Sequence, residues 1–179
     1  MYSLIGKYIR NKALGKYTPN IDVSYKNLKE VSLVGFTYNV DSQQSAQEFI
    51  KIVEQLNLLD IPYKGVVVAK KTALLSAAIS SEGLADEYLK NVIVMDSSML
   101  TLFKEPKPGV LDEFYSNKFD IFINFNSVDC ITLDVIVLNS NFNYLIGMKN
   151  SSLIPNNMVL MGSNGTILSN IDFLKQIIH

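Results

Sequence analysis

The chain reads as an α/β protein, a three-layer Rossmann-like sandwich on a mostly parallel sheet of strand order 3-2-1-4-5, with a C-terminal edge hairpin. Three observations predict it. Short β-branched and aromatic runs alternate with stretches of helical periodicity. The strand runs are apolar at consecutive positions, as in Val66, Val67 and Val68, which marks strands covered on both faces. With 179 residues, 48% of them apolar, one such domain buries about two thirds of its unfolded surface.

The elements follow in order. Val31 to Tyr38, with Gly35 inside it, is the first strand. Asp41, with Gln44 three positions on, forms a variant capping box before a helix whose face is Ala46, Phe49, Ile50, Val53 and Leu56. Ile61 and Pro62 end that helix, and Tyr63 to Ala69 is a second strand, completing a βαβ unit whose strands are parallel neighbours. Leu74, Leu75, Ala78 and Ile79, then Leu84, Tyr88 and Leu89, form one helix interrupted near Ser80, Ser81 and Gly83, or two short ones. Val92 to Met95 is the third strand, and Lys104 to Gly109, with Pro106 and Pro108, is a loop. A short helix at Val110, Leu111, Phe114 and Tyr115 leads into a fourth strand, Phe119 to Phe125.

Asn126, Ser127 and Asp129 then form a second helix-start signature. Ile131 to Leu138 is ambiguous, because Val135, Ile136 and Val137 are poor helix formers. It is read as a helix because strand-like runs lie on both sides, and a parallel crossover needs a connection of about a dozen residues. Phe142 to Met148 is the fifth strand. Met158 to Met161 and Thr166 to Leu168, joined by Gly162, Ser163, Asn164 and Gly165, form the edge hairpin, and Asn170 opens a last short helix.

Charge divides the chain. Lys7, Arg10, Lys12 and Lys16 give residues 1–20 a charge of +4, leaving 12 cations against 17 acids after them. Residues 1–20 therefore read as a basic amphipathic arm, with Leu4, Ile5, Tyr8 and Ile9 at helical spacing, attached to a single α/β domain over 21–179. The arm either packs on the domain or makes weak contact with a membrane surface through residues 1–16. A net charge of −1 argues against nucleic acid as a partner, since phosphate neutralisation needs a basic stripe. No apolar run approaches the length of a membrane helix, and Lys7 and Arg10 interrupt any signal-peptide core, so a cytoplasmic location is expected.

In a 3-2-1-4-5 sheet the crevice lies where strand order reverses, between Tyr38 to Ser42 and Asn124 to Ser127. Candidate crevice residues are Asn39, Asp41, Ser42, Asp96, Asn124, Asn126, Ser127 and Asp129. The turn after the first strand, Asn39-Val40-Asp41-Ser42, has no glycine to admit a pyrophosphate, and Asp41 and Asp129 hold the helix starts where an anion would sit. No cofactor is expected. One His and one Cys leave no metal cluster and no nucleophile–base pair, so no catalytic residue is assigned and Cys130 is read as a small buried hydrophobe. Asp96, Ser97 and Ser98 are read as a cap.

The words Phe-Tyr-Ser-Asn-Lys-Phe-Asp-Ile-Phe-Ile-Asn-Phe-Asn at Phe114 to Asn126, Thr-Leu-Asp-Val-Ile and Tyr-Leu-Ile-Gly, with the opening Val-Ser-Leu-Val-Gly-Phe-Thr-Tyr, resemble an uncharacterised Bacteroidota family of short proteins, a domain of unknown function. The resemblance implies a cytoplasmic α/β domain and brings no site residues. The first expectation is a non-catalytic domain binding a small molecule or a protein, with a homodimer open. The alternatives are an enzyme using Asp41 and Asp129, or Asp96, with or without a divalent cation, and a peripheral membrane protein held by its arm.

Overall fold

The computed structural model describes residues 31–58, 60–82, 89–126 and 130–148, and the backbone of 158–159. Strand β1 (Val34–Val40) leads to helix α1 (Gln43–Leu58), β2 (Tyr63–Ala69), α2 (Thr72–Glu82) and β3 (Val92–Met95). A 3-10 turn at Ser97–Met99 precedes α3 (Asp112–Tyr115), β4 (Lys118–Asn124), α4 (Ile131–Asn139), β5 (Asn141–Gly147) and β6 (Met158–Val159). The sheet order is β3-β2-β1-β4-β5-β6, and every neighbouring pair is parallel. The expected order of the first five strands is the observed one. Of the expected edge hairpin, Met158–Val159 pairs in parallel with β5, and its second arm, like residues 1–20, lies outside the described residues.

Connection handedness accounts for the layers. The steps β1-α1-β2 and β2-α2-β3 run one way across the sheet, and β4-α4-β5 runs the other. Right-handed crossovers therefore place α1 and α2 on one face and α4 on the opposite face. The core divides accordingly. One cluster gathers Phe49 and Val53 of α1 and Leu75 and Ala78 of α2 onto Phe36, Tyr38, Val67 and Ile123. The other gathers Phe114 of α3 and Leu133, Ile136 and Val137 of α4 onto Val66, Phe119, Phe122 and Leu145.

Two strand glycines are set by these rings. A Cβ on Gly35 would fall 2.6 Å from Phe122 and 2.8 Å from Phe119, and one on Gly65 would fall 2.2 Å from Phe36. Only glycine lets those rings lie flat against the backbone.

The start of α1 is one residue later than the Asp41–Gln44 box expected from sequence. Because β1 continues to Val40, the cap falls on Ser42, whose Oγ accepts from Ser45 N–H at 3.1 Å. Ser45 Oγ in turn accepts from the N–H groups of Asp41 and Ser42, each at 3.0 Å, a reciprocal box built from two serines. At the other end Asp60 takes the left-handed conformation, φ 52°, and its N–H closes on Asn57 O at 3.0 Å, before Ile61 and Pro62 carry the chain into β2. The ambiguous segment is a helix, α4, as its connection length required. Its N-cap is Cys130, extended at φ −131° and ψ 106°, with no side-chain cap hydrogen bond; Ser127 and Asp129 lie outside the described residues.

Candidate functional site

Strand β1 has β2 on one side and β4 on the other, so the chain leaving β1 and the chain leaving β4 diverge to opposite faces. In sheets of this topology, ligands meet the strand ends where such a divergence occurs. The β1–β4 register runs from Val34–Ile121 to Thr37–Asn124, and Phe125 N–H still reaches Thr37 O at 3.1 Å. Beyond that point the ladder ends. Asn39 and Asn126, each two residues past the last pair, stand at its mouth.

A small polar group occupies this position. Thr37 is fully buried, and its Oγ1 donates to Asn124 Oδ1 at 3.1 Å. The same oxygen accepts from Asn126 N–H at 3.3 Å. With Oδ1 fixed by two donors, the Nδ2 of half-buried Asn124 makes no hydrogen bond to any described residue, and neither does the half-buried side chain of Asn39. Strand alternation puts Thr37, Asn39 and Asn124 on the α4 face, opposite Phe36 and Tyr38. Asn126 is buried beside them.

The acidic candidates serve local structure. Asp41 is exposed at the α1 cap, where its Oδ1 accepts from Ser45 Oγ at 3.4 Å. Asp96 ends β3, which β2 separates from β1, so it stands apart from the Thr37–Asn124 group. Its Oδ1 accepts from Ser98 Oγ at 2.5 Å and Ser98 N–H at 2.7 Å, capping the 3-10 turn, and these hydrogen bonds hold the carboxyl below its usual range. Ser42 is likewise committed to its cap.

Cys130 is half-buried against the α4-face cluster, and burial pushes its thiol up, which keeps it protonated at neutral pH. Tyr38, on the other face, is raised by burial and then by Glu48, to whose Oε2 its hydroxyl donates at 3.0 Å. Among the described residues no group of three or more His, Cys, Asp or Glu is placed to hold a metal ion.

Sequence reasoning missed two features. Thr37 belongs to the polar group, and the signal was present: one aliphatic hydroxyl directly after the apolar word Val34 to Phe36. A cleft of about 160 Å³ at the opposite, N-terminal edge of β2 and β3 left no such trace. It is lined by Lys64, Lys90, Asn91, Ile93, Glu113 and Phe114, and Lys64 Nζ meets Glu113 Oε1 across it at 3.0 Å. Those charges come from elements 49 residues apart.

No helix among the described residues is long and apolar enough to cross a membrane. A search of curated proteins found no match. A family model of unknown function, DUF6913, matches residues 4–178, almost the whole of the sequence. The protein belongs to the DUF6913 family.

Proposed function

We propose that the protein is a non-catalytic binding domain whose ligand, a small polar molecule or a segment of a partner protein, meets the C-terminal ends of β1 and β4. One observation carries the reading. At the point where strand order reverses, a buried Thr37 hydroxyl and a backbone amide fix Asn124 Oδ1, leaving the Asn124 Nδ2 donors and the Asn39 amide for an outside group. Neutral amides beside the Asp41 carboxylate favour neutral or cationic polar groups over phosphates. The engagement of Asp41 with Ser45 and of Asp96 with Ser98 supports caps over acid–base catalysis.

The reading takes residues 21–179 as one domain with a basic arm over 1–20. It places the chain in the cytoplasm of a Bacteroidota-type bacterium, on the support of the strand words that carry the resemblance and a composition of 15 Lys to one Arg with 17 Asn.

Native mass spectrometry of the full chain as purified from cells tests it. The expected spectrum shows a retained non-covalent ligand or a stable complex, lost in an Asn39→Ala variant that melts like the parent and in an Asn124→Asp variant, which keeps the oxygen that Thr37 and Asn126 donate to and removes the Nδ2 donors. A bare monomer, or variants that keep the same added mass, contradicts the reading.

A further inference from the structure

The segment after β3 builds a braced turn with an apolar tip. Lys107 N–H donates to Met99 O at 2.9 Å, Leu100 and Pro106 form an antiparallel bridge, and Thr101 N–H donates to Glu105 O at 2.8 Å. Glu105 N–H returns to Thr101 Oγ1 at 3.2 Å, and Lys104 N–H closes the tip on Thr101 O at 3.0 Å. The base is anchored, since Met99 and Leu100 pack against the α4-face cluster, and buried Thr132 of α4 donates its Oγ1 to Lys104 O at 2.9 Å. At the tip, Leu102 is 98% exposed and Phe103 53% exposed.

Lys104, at φ 66°, is the left-handed residue that closes a three-residue hairpin loop after a type I turn, so the turn accounts for its backbone. The tip is what folding does not account for, since Leu102 buries almost nothing. A fixed turn that presents two adjacent large apolar side chains to water is built for an outside surface. Charge indicates which surface. The exposed charged residues of the turn itself are Lys104 and Lys107, both cationic, while Glu105 is half-buried; exposed Asp112 and Glu113 lie beyond the turn, at the start of α3. In the sequence, residues 1–20 add four cations and no acid.

We infer that the Leu102–Phe103 tip inserts into the lipid–water interface of an anionic membrane, with Lys104 and Lys107 at headgroup level. One short apolar tip with two lysines gives reversible attachment, strengthened where a second basic element reaches the same surface. This rests on different residues from the crevice reading and stands or falls separately.

Flotation of the full chain with phosphatidylcholine vesicles, with and without phosphatidylglycerol, is the test. The parent binds the anionic vesicles, and Leu102→Ser/Phe103→Ser loses about tenfold or more in partitioning while staying folded by circular dichroism, since Leu102 is almost fully exposed and Phe103 half-exposed. Lys104→Asn/Lys107→Gln, with asparagine chosen to tolerate the left-handed turn, weakens binding and flattens its salt dependence. Absence of vesicle binding by the parent, or equal binding by the Leu102→Ser/Phe103→Ser variant, overturns the inference. So does a dimer on light scattering that this variant dissolves, which would make a second copy of the chain the occupant.

Discussion

The two faces of the sheet are covered by different kinds of helix. On one face α1 is amphipathic, burying Ala46, Phe49, Ile50, Ile52, Val53 and Leu56 while Gln43, Gln44 and Gln47 stay in water. On the other, α4 is buried nearly all round through Thr132, Leu133, Val135, Ile136 and Val137. The polar groups at the strand ends, Thr37, Asn39 and Asn124, all lie on the α4 face, whereas on the α1 face buried tyrosine hydroxyls pair with α1 itself, Tyr38 with Glu48 and Tyr63 with Asn57. The lesson is a division of labour. One face is an ordinary half-exposed layer, and the other encloses its helix and carries the Thr37–Asn124 polar group.

The largest effect expected from breaking this comparison is on the α4 face. Phe122 sits 5.4 Å from Phe119 and 5.6 Å from Phe142, ring centre to ring centre, and presses on Gly35. Gly35→Ala drives a methyl into both Phe119 and Phe122 and is expected to cost about 3 kcal/mol by urea unfolding. Combined with Phe122→Leu the penalty is less than additive, because the smaller side chain yields to the methyl. An additive cycle would mean that the close approach does not set the glycine.

On the α1 face, Tyr38→Phe removes a buried hydroxyl from Glu48 and is expected to cost about 1.5 kcal/mol. It also changes the alkaline limb. Burial raises both Tyr38 and Tyr115, so the folded chain keeps phenol protons that the unfolded chain releases above about pH 10. Stability is full below that pH and falls as pH rises beyond it. Tyr38→Phe makes the fall shallower, measurable as Tm against pH; an unchanged slope contradicts the assignment.

The smallest effect belongs to the α1 cap. Ser42→Ala removes the acceptor for Ser45 N–H and is expected to cost about 1 kcal/mol, whereas Gln44→Ala costs little, since Gln44 only donates its Nε2 to Glu48. The reverse ranking would restore the Asp41–Gln44 box.

Legibility in the sequence follows the same division. The α1 stripe and the Val66 to Val68 run declare themselves through periodicity and apolar continuity, and with connection lengths they lead to the observed strand order. Periodicity was silent for α4, because a helix buried on every side has no polar face to mark a period, and only its place between two parallel strands identified it. The cap shifted by one residue because the end of β1 at Val40 depends on pairing with β2, which local signals do not carry. The position of Asn39, Asn124 and Asn126 at the ends of β1 and β4 follows from topology, while Thr37, one residue inside the strand, carries no local mark of its bond to Asn124. The Lys64–Glu113 cleft depends on contacts between distant segments and has no local signature.

The most direct test of the binding claim is amide chemical-shift mapping of the nitrogen-labelled protein during titration with the small-molecule and then the protein fraction of an extract of the cells that make it. Shifts confined to Thr37 to Asp41 and Asn124 to Asn126 are the expected result. Shifts gathered instead at Lys64, Asn91 and Glu113, or no shifts anywhere, contradict it.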